Sequence, residues 1–305
     1  MKKLLCLIAM CLLIASSAYA GDEEQPPEPK VKFRGIQSVD AFDITHSKFS
    51  PFGGGDKDRH GESTNIKARV RPLRMGKLDA GGYVTYTEGS ADTYDRKKGQ
   101  WSNSDYRTVG GGVSGVYHHD RHRETEAELG ILRQETDSWN SKLSSQQTES
   151  QIEARLRYGD ESGRGAGEKL LPFWEVGIHY IHPYNVSYHD SKGKYDPYDN
   201  RQFVLFGSAD LYDWYLDDVN HWRLTPTFNA NLGYLWGKDS GYLQGGFGTK
   251  LAWYEQELID IRILNPRWMF NGDGSRIYDY IATLKVDNVF RALWAAQTET
   301  YVSNK

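Results

Sequence analysis

The stretch Trp222–Trp253 reads WRLTPTFNANLGY, then LWGKDSG, then YLQGGFGTKLAW. In its first arm Trp222, Leu224, Pro226, Phe228, Ala230, Leu232 and Tyr234 share one face of an extended chain. Arg223, Thr225, Thr227, Asn229, Asn231 and Gly233 share the other. In the second arm Leu243, Gly245, Phe247, Thr249, Leu251 and Trp253 alternate with Gln244, Gly246, Gly248, Lys250 and Ala252. Side chains on a strand alternate between faces, so this is a hairpin with one apolar and one polar face. Both arms exceed the usual length of a soluble strand, and aromatics stand at their ends. That is the pattern of a strand pair with lipid outside and water inside.

Working outward, the same alternation recurs along the chain. Apolar rows Ile66–Pro72, Ala80–Tyr86, Val109–Tyr117, Thr125–Ile131, Ile152–Tyr158, Trp174–Tyr180, Phe203–Leu211, Ile259–Ile263 and Tyr278–Val286 each oppose a polar row. A first strand over Val31–His46 brings the count to 12, with 14 as the alternative, since single-chain bacterial barrels favour even numbers. The reading is all-β: a transmembrane antiparallel up-and-down barrel over residues 31–290. Long polar gaps follow the first, third, fifth and seventh strands, and among them 47–65 and 88–105 read as loops. Shorter connections follow the even strands, as external loops and periplasmic turns should. The segment 291–305 reads either as a last strand or as a periplasmic end segment, and no helix-period stretch of useful length stands out.

The chain begins MKKLLCLIAMCLLIASSAYA, with a basic start, a short apolar run and an Ala18-Tyr19-Ala20 site. Residues 1–20 therefore read as a signal peptide cleaved after Ala20, and 21–30, GDEEQPPEPK, as a flexible periplasmic tail. Both cysteines fall within residues 1–20, so the exported chain owes nothing to disulfides. Its net charge is −6 (−4 minus the two lysines of the leader), which does not suggest a nucleic-acid partner.

Candidate function lies on the polar rows. Lys67, Arg69, Arg71, Arg155, Arg157, Arg223 and Lys250 are the candidate lumen and solute-binding residues. Lys67, Arg69 and Arg71 face no acidic row on the third strand and are the best candidates for an anion. Two readings stand side by side: a wet charged lumen that sorts solutes, or a closed barrel whose interior charges neutralise one another. Glu124, Glu126 and Glu128 lie across one connection from Arg155 and Arg157, which favours some internal pairing. In the other half, the small Asn229, Asn231, Gly246 and Gly248 leave room for an open path. The histidines (His46, His60, His118, His119, His122, His189) sit in turns and loops without a catalytic or metal-ligand signature, so no catalytic residue, metal or cofactor is expected.

The whole pattern resembles bacterial outer-membrane β-barrel proteins as a class, porin-like, over about residues 31–290. It departs from them in ending TYVSNK rather than on an aromatic. The resemblance implies the cell outer membrane of a Gram-negative bacterium. The implied partners are outer-membrane lipid, the barrel assembly machinery and a small solute. The expected function is a channel or transporter for small solutes with a bias toward anions. The alternatives are a barrel hydrolase of lipid or peptide using loop histidines, a structural or adhesive surface barrel, and a secreted soluble β protein.

Overall fold

The computed structural model describes residues 32–33, 39–51, 57–140, 144–165, 170–190, 201–216, 221–236, 240–265, 268–269 and 277–303. The signal peptide (1–20) and the acidic tail (21–30) lie outside these residues. Twelve long strands follow one another: β1 Val39–Pro51, β2 Lys57–Met75, β3 Leu78–Asp95, β4 Gln100–His118, β5 Arg123–Asn140, β6 Ser144–Asp160, β7 Leu170–Asp190, β8 Gln202–Tyr212, β9 Trp222–Leu235, β10 Ser240–Trp253, β11 Gln256–Leu264 and β12 Ile277–Lys285. Each pairs antiparallel with the next, and β12 returns to β1 through Ile277↔Pro51 to Lys285↔Asp43. The sheet is thus a closed barrel without a free edge. Short pieces Lys32–Phe33, Trp214–Tyr215 and Trp268–Met269 add to β2, β9 and β10.

The opening hairpin folds as its alternation demands. Trp222 pairs with Trp253 and Leu235 with Ser240 in unbroken register. Arg223, Thr225, Thr227 and Asn229 are buried, while Phe228 and Leu232 on the opposite face are exposed. The same inversion runs round the barrel: Val84 is 64% exposed, Val113 63%, Ile131 58% and Phe247 62%. A water-soluble sheet would bury these residues and expose the polar ones. Here the outer face is an apolar belt and the polar rows point inward. Rings flank the belt. Trp222 stacks on Trp253 at 5.3 Å and Tyr158 lies 5.4 Å from Trp174 at one end. Tyr234 meets Trp236 at 5.0 Å at the other. Tyr106 is not among these rings; it points inward, over Gly89.

The expected long loops are corrected. Residues 47–51 and 57–65 are paired strand, as are 88–95 and 100–105, so only short connections separate them. Strands β2 to β7 run 17 to 21 residues, whereas a tilted strand crosses a bilayer in about 9–11. Strands β8 to β12 run 9 to 14. One wall of the barrel therefore stands well beyond the apolar belt at the loop end. Above the belt both faces meet water, so both rows are polar and the alternation that marks a strand is lost.

Of the two readings of the tail, the strand does not hold. Val286–Ser303 is an α-helix, α2, and not a thirteenth strand. Val289, Ala292 and Ala296 recur at helical spacing within a stretch that also alternates, so the two periods compete. A single helical turn, α1 (Ser162–Gly165), stands in the connection between β6 and β7.

Tight turns close the other end. Gly76 takes φ +58° between β2 and β3, a conformation open to glycine. Tyr254 and Glu255 take φ +48° and +62° between β10 and β11, as a two-residue type I′ hairpin requires. Stacking of Tyr254 on His221 at 4.3 Å and an ion pair from Arg223 to Glu255 hold them there. In the β4–β5 turn Asp120 accepts the N–H groups of His122 and Arg123 at 2.9 Å. The Arg123 guanidinium and those N–H groups hold its carboxyl down at about 2.

Candidate functional site

The inward rows of the turn-end half gather into one network of charge. On the β2 side, Lys67 Nζ donates to Glu128 Oε2 at 2.6 Å, and Arg69 Nε to Glu128 Oε1 at 2.6 Å. Arg69 also lies 3.4 Å from Asp43 and 3.7 Å from Glu126. Arg71 donates to Ser114 Oγ at 3.0 Å and pairs with Glu126. From β6, Arg157 reaches Glu124 at 2.5 Å, Glu126 at 3.0 Å and Glu175 at 3.1 Å. Glu126 thus holds Arg69, Arg71 and Arg157 at once. Glu153 accepts from Tyr83 at 3.0 Å and sits 2.8 Å from His179.

The expectation that Lys67, Arg69 and Arg71 lack acidic partners is therefore corrected. Glu126 and Glu128 come from β5, three strands further round the wall, and Asp43 comes from β1 beside Arg69. Small residues between make the reach possible. Gly81 on β3 has no room for a side chain, because a Cβ there would lie 2.7 Å from the Arg71 Cα. On β4 the inward positions beside them are Gly110, Gly112 and Ser114. The run Gly110-Gly111-Gly112 was the sequence signal for this crossing.

A second group fills the facing wall. Asp210 binds Lys250 at 2.8 Å and Arg164 at 2.9 Å. Asp213 binds Arg164 at 3.1 Å and accepts the Thr225 hydroxyl at 2.6 Å, with Arg223 3.6 Å away. Glu257 lies 2.8 Å from Lys285 and 3.7 Å from Lys250. Arg164, Asp213 and Glu255 were not among the sequence candidates. Arg164 belongs to α1, and the unusual length of that connection was the only sign that it could reach the lumen.

Of the candidate residues, the structure brings Lys67, Arg69, Arg71 and Arg157 together in the first group and Arg223 and Lys250 in the second. Arg155 differs. Its guanidinium stands 5.1 Å from the Phe206 ring, and no carboxylate lies within ion-pair distance among the described residues. Of the residues expected to leave room for a path, Asn229 and Gly246 are buried and Asn231 and Gly248 half-buried. Gln244, the neighbour of Asn229, is also buried. A Cβ at Gly246 would fall 2.1 Å from the Ile263 carbonyl oxygen, and one at Gly248 2.4 Å from that of Ile261. These glycines let the inner face of a tightly curved wall close up.

The tall wall carries a further cavity of about 510 Å³ on its outer face. Its outward-row residues include Glu62, Glu88, Asp105, Arg107, Glu135 and Asp137. The turn histidines are engaged locally. His118 Nε2 lies 3.2 Å from Asp79, His119 Nε2 2.9 Å from Thr125 Oγ1, and His122 Nε2 accepts from Arg121 at 2.7 Å. No three His, Cys, Asp or Glu side chains among the described residues converge as a metal site.

No protein-family model matches the chain, and no curated protein matches it in sequence. Among solved structures, the transport unit of the autotransporter AIDA-I from Escherichia coli shares its fold. It is 12% identical, with a TM-score of 0.53 over 91% of this chain and 96% of that one. The translocator domain of autotransporter NalP from Neisseria meningitidis aligns at 8% identity and TM-score 0.45, over 93% and 97%. The β domain of the Bordetella autotransporter Brka aligns at 12% and 0.46, over 80% and 98%. The fold is that of the bacterial outer-membrane β-barrels.

Proposed function

We propose that the chain is an exported outer-membrane barrel that passes small solutes through a charged constriction and carries out no chemistry. Arg155 is the observation that carries this reading. A guanidinium withdrawn from water without a counter-charge is strongly unfavourable, so the lumen around Arg155 is hydrated. A barrel filled only for stability would match every interior charge, as it does at Arg69, Arg71 and Arg157. The paired side chains narrow the passage, which favours small solutes. Arg155 offers a cation outside the ion pairs of that network, which favours anions.

The remaining candidates then act as walls. Lys67, Arg69, Arg71, Arg157, Arg223 and Lys250 fix the bore through their carboxylate partners and are masked from a passing ion. The turn histidines are accounted for by local contacts that hold the turns, which supports a role without catalysis. The leader Met1–Ala20 supports export.

Reconstituted in planar bilayers, the wild-type barrel is expected to give a small, anion-preferring conductance. Arg155→Glu is expected to reverse that preference. A wild-type barrel that remains silent at every salt concentration would overturn the channel reading, and unaltered selectivity in Arg155→Glu would overturn the role of Arg155.

A further inference from the structure

Helix α2 presents an exposed apolar face. Phe290 is 68% exposed, Trp294 74%, and Leu293 is half-exposed between them. At 100° per residue these three share one stripe of the helix. The opposite side holds Ala292, which is fully buried, flanked by Asn288, Ala295 and Ala296. Small residues on that side let the helix lie close against the barrel, where it contacts β1 and β11.

The first turn is fixed in place. Asp287 Oδ1 accepts the Phe42 N–H at 3.0 Å, and Asn288 Nδ2 donates to the Glu257 carbonyl at 2.7 Å. Arg291 pairs with Asp287 at 3.4 Å. The helix begins immediately after Leu284 and Lys285. Leu284 is exposed on the outer face and pairs with Ile259 and Ile44 on the neighbouring strands. An apolar row of the lipid belt thus leads directly into the first turn of α2.

We infer that α2 is an interfacial helix, whose Phe290, Leu293 and Trp294 insert into the membrane leaflet at the turn end of the barrel. The occupant of this face is phospholipid. Continuity with the belt selects it: the same bilayer that covers Leu284 meets the helix one residue beyond the strand. The stripe combines an indole with two apolar side chains, the composition that settles at the boundary of headgroups and acyl chains. The polar groups Asp287, Asn288 and Arg291 are used against the barrel and on the helix flank. This inference rests on the membrane fold and stands whether or not the lumen conducts.

The test is site-directed spin labelling of the full-length barrel in phosphatidylethanolamine–phosphatidylglycerol vesicles. The exported chain has no cysteine of its own, so Trp294→Cys and, separately, Phe290→Cys each carry one nitroxide at an exposed site. Heat-modifiable migration verifies that each labelled barrel is closed. For both sites, accessibility to oxygen is expected to exceed accessibility to a water-soluble nickel chelate several-fold. Nickel accessibility equal to that of a water-exposed label at Lys98→Cys would overturn the inference. Spin–spin broadening between barrels would overturn it in favour of a second copy on the same face.

Discussion

Glu126→Ala is expected to be the most destabilising single substitution in the barrel. Its carboxylate meets Arg157 at 3.0 Å and Arg69 at 3.7 Å and also pairs with Arg71, and the residue is buried. Arg69 and Arg157 keep other partners in Asp43, Glu128, Glu124 and Glu175. Even so, the centre of the cluster would hold three guanidinium groups without the anion between them. Removing one member of a buried ion pair costs about 3–5 kcal/mol, chiefly because the remaining charge is left poorly compensated. The expected result is a marked fall in the urea concentration that unfolds the reconstituted barrel. Wild-type stability in Glu126→Ala would show that the lumen is solvated enough to screen these charges.

Phe247→Arg is expected to act from the opposite face. Phe247 is strongly exposed and its ring packs edge-on to Phe228 at 5.5 Å, midway along the opening hairpin. If that face meets lipid, an arginine near the bilayer midplane costs about 2–4 kcal/mol. On a soluble sheet the same substitution would exchange an exposed ring for a solvated charge at almost no cost. Urea unfolding in vesicles, compared with Thr227→Ser on the inner face, separates the two cases. Equal stability of Phe247→Arg and the wild type would remove the lipid belt, and with it the membrane reading.

Much of the fold was legible because a membrane barrel writes its two environments onto alternate residues. From Ile66 to Val70, from Ala80 to Tyr86 and from Trp222 to Trp253, each inward or outward position follows from its parity; the bulge between Val70 and Leu73 interrupts it. The count of twelve strands followed from repeating that rule. The tall wall was not legible. From Lys57 to Asn65 and from Glu88 to Asp95 water lies on both sides, so hydropathy no longer distinguishes strand from loop. Helix α2 was hidden by a segment in which periods of two and of about 3.6 both fit. At the site, the basic residues could be named but their partners could not. The sequence places Lys67 beside the third strand, whereas its carboxylate stands on the fifth, reached across glycine. Pairing over two intervening strands depends on how sharply the wall curves, and that curvature is a property of the closed barrel.

The basic rows of the lumen are masked by carboxylates, with Lys67, Arg69, Arg71 and Arg157 all held in ion pairs. The most direct measurement is the reversal potential of reconstituted Glu128→Gln beside the wild type, in planar bilayers under a potassium chloride gradient. Glu128 is the shared partner of Lys67 and Arg69, each at 2.6 Å. Neutralising it unmasks both cations, and a shift toward anion permeation is predicted. An unchanged reversal potential in a correctly folded Glu128→Gln barrel would contradict the account.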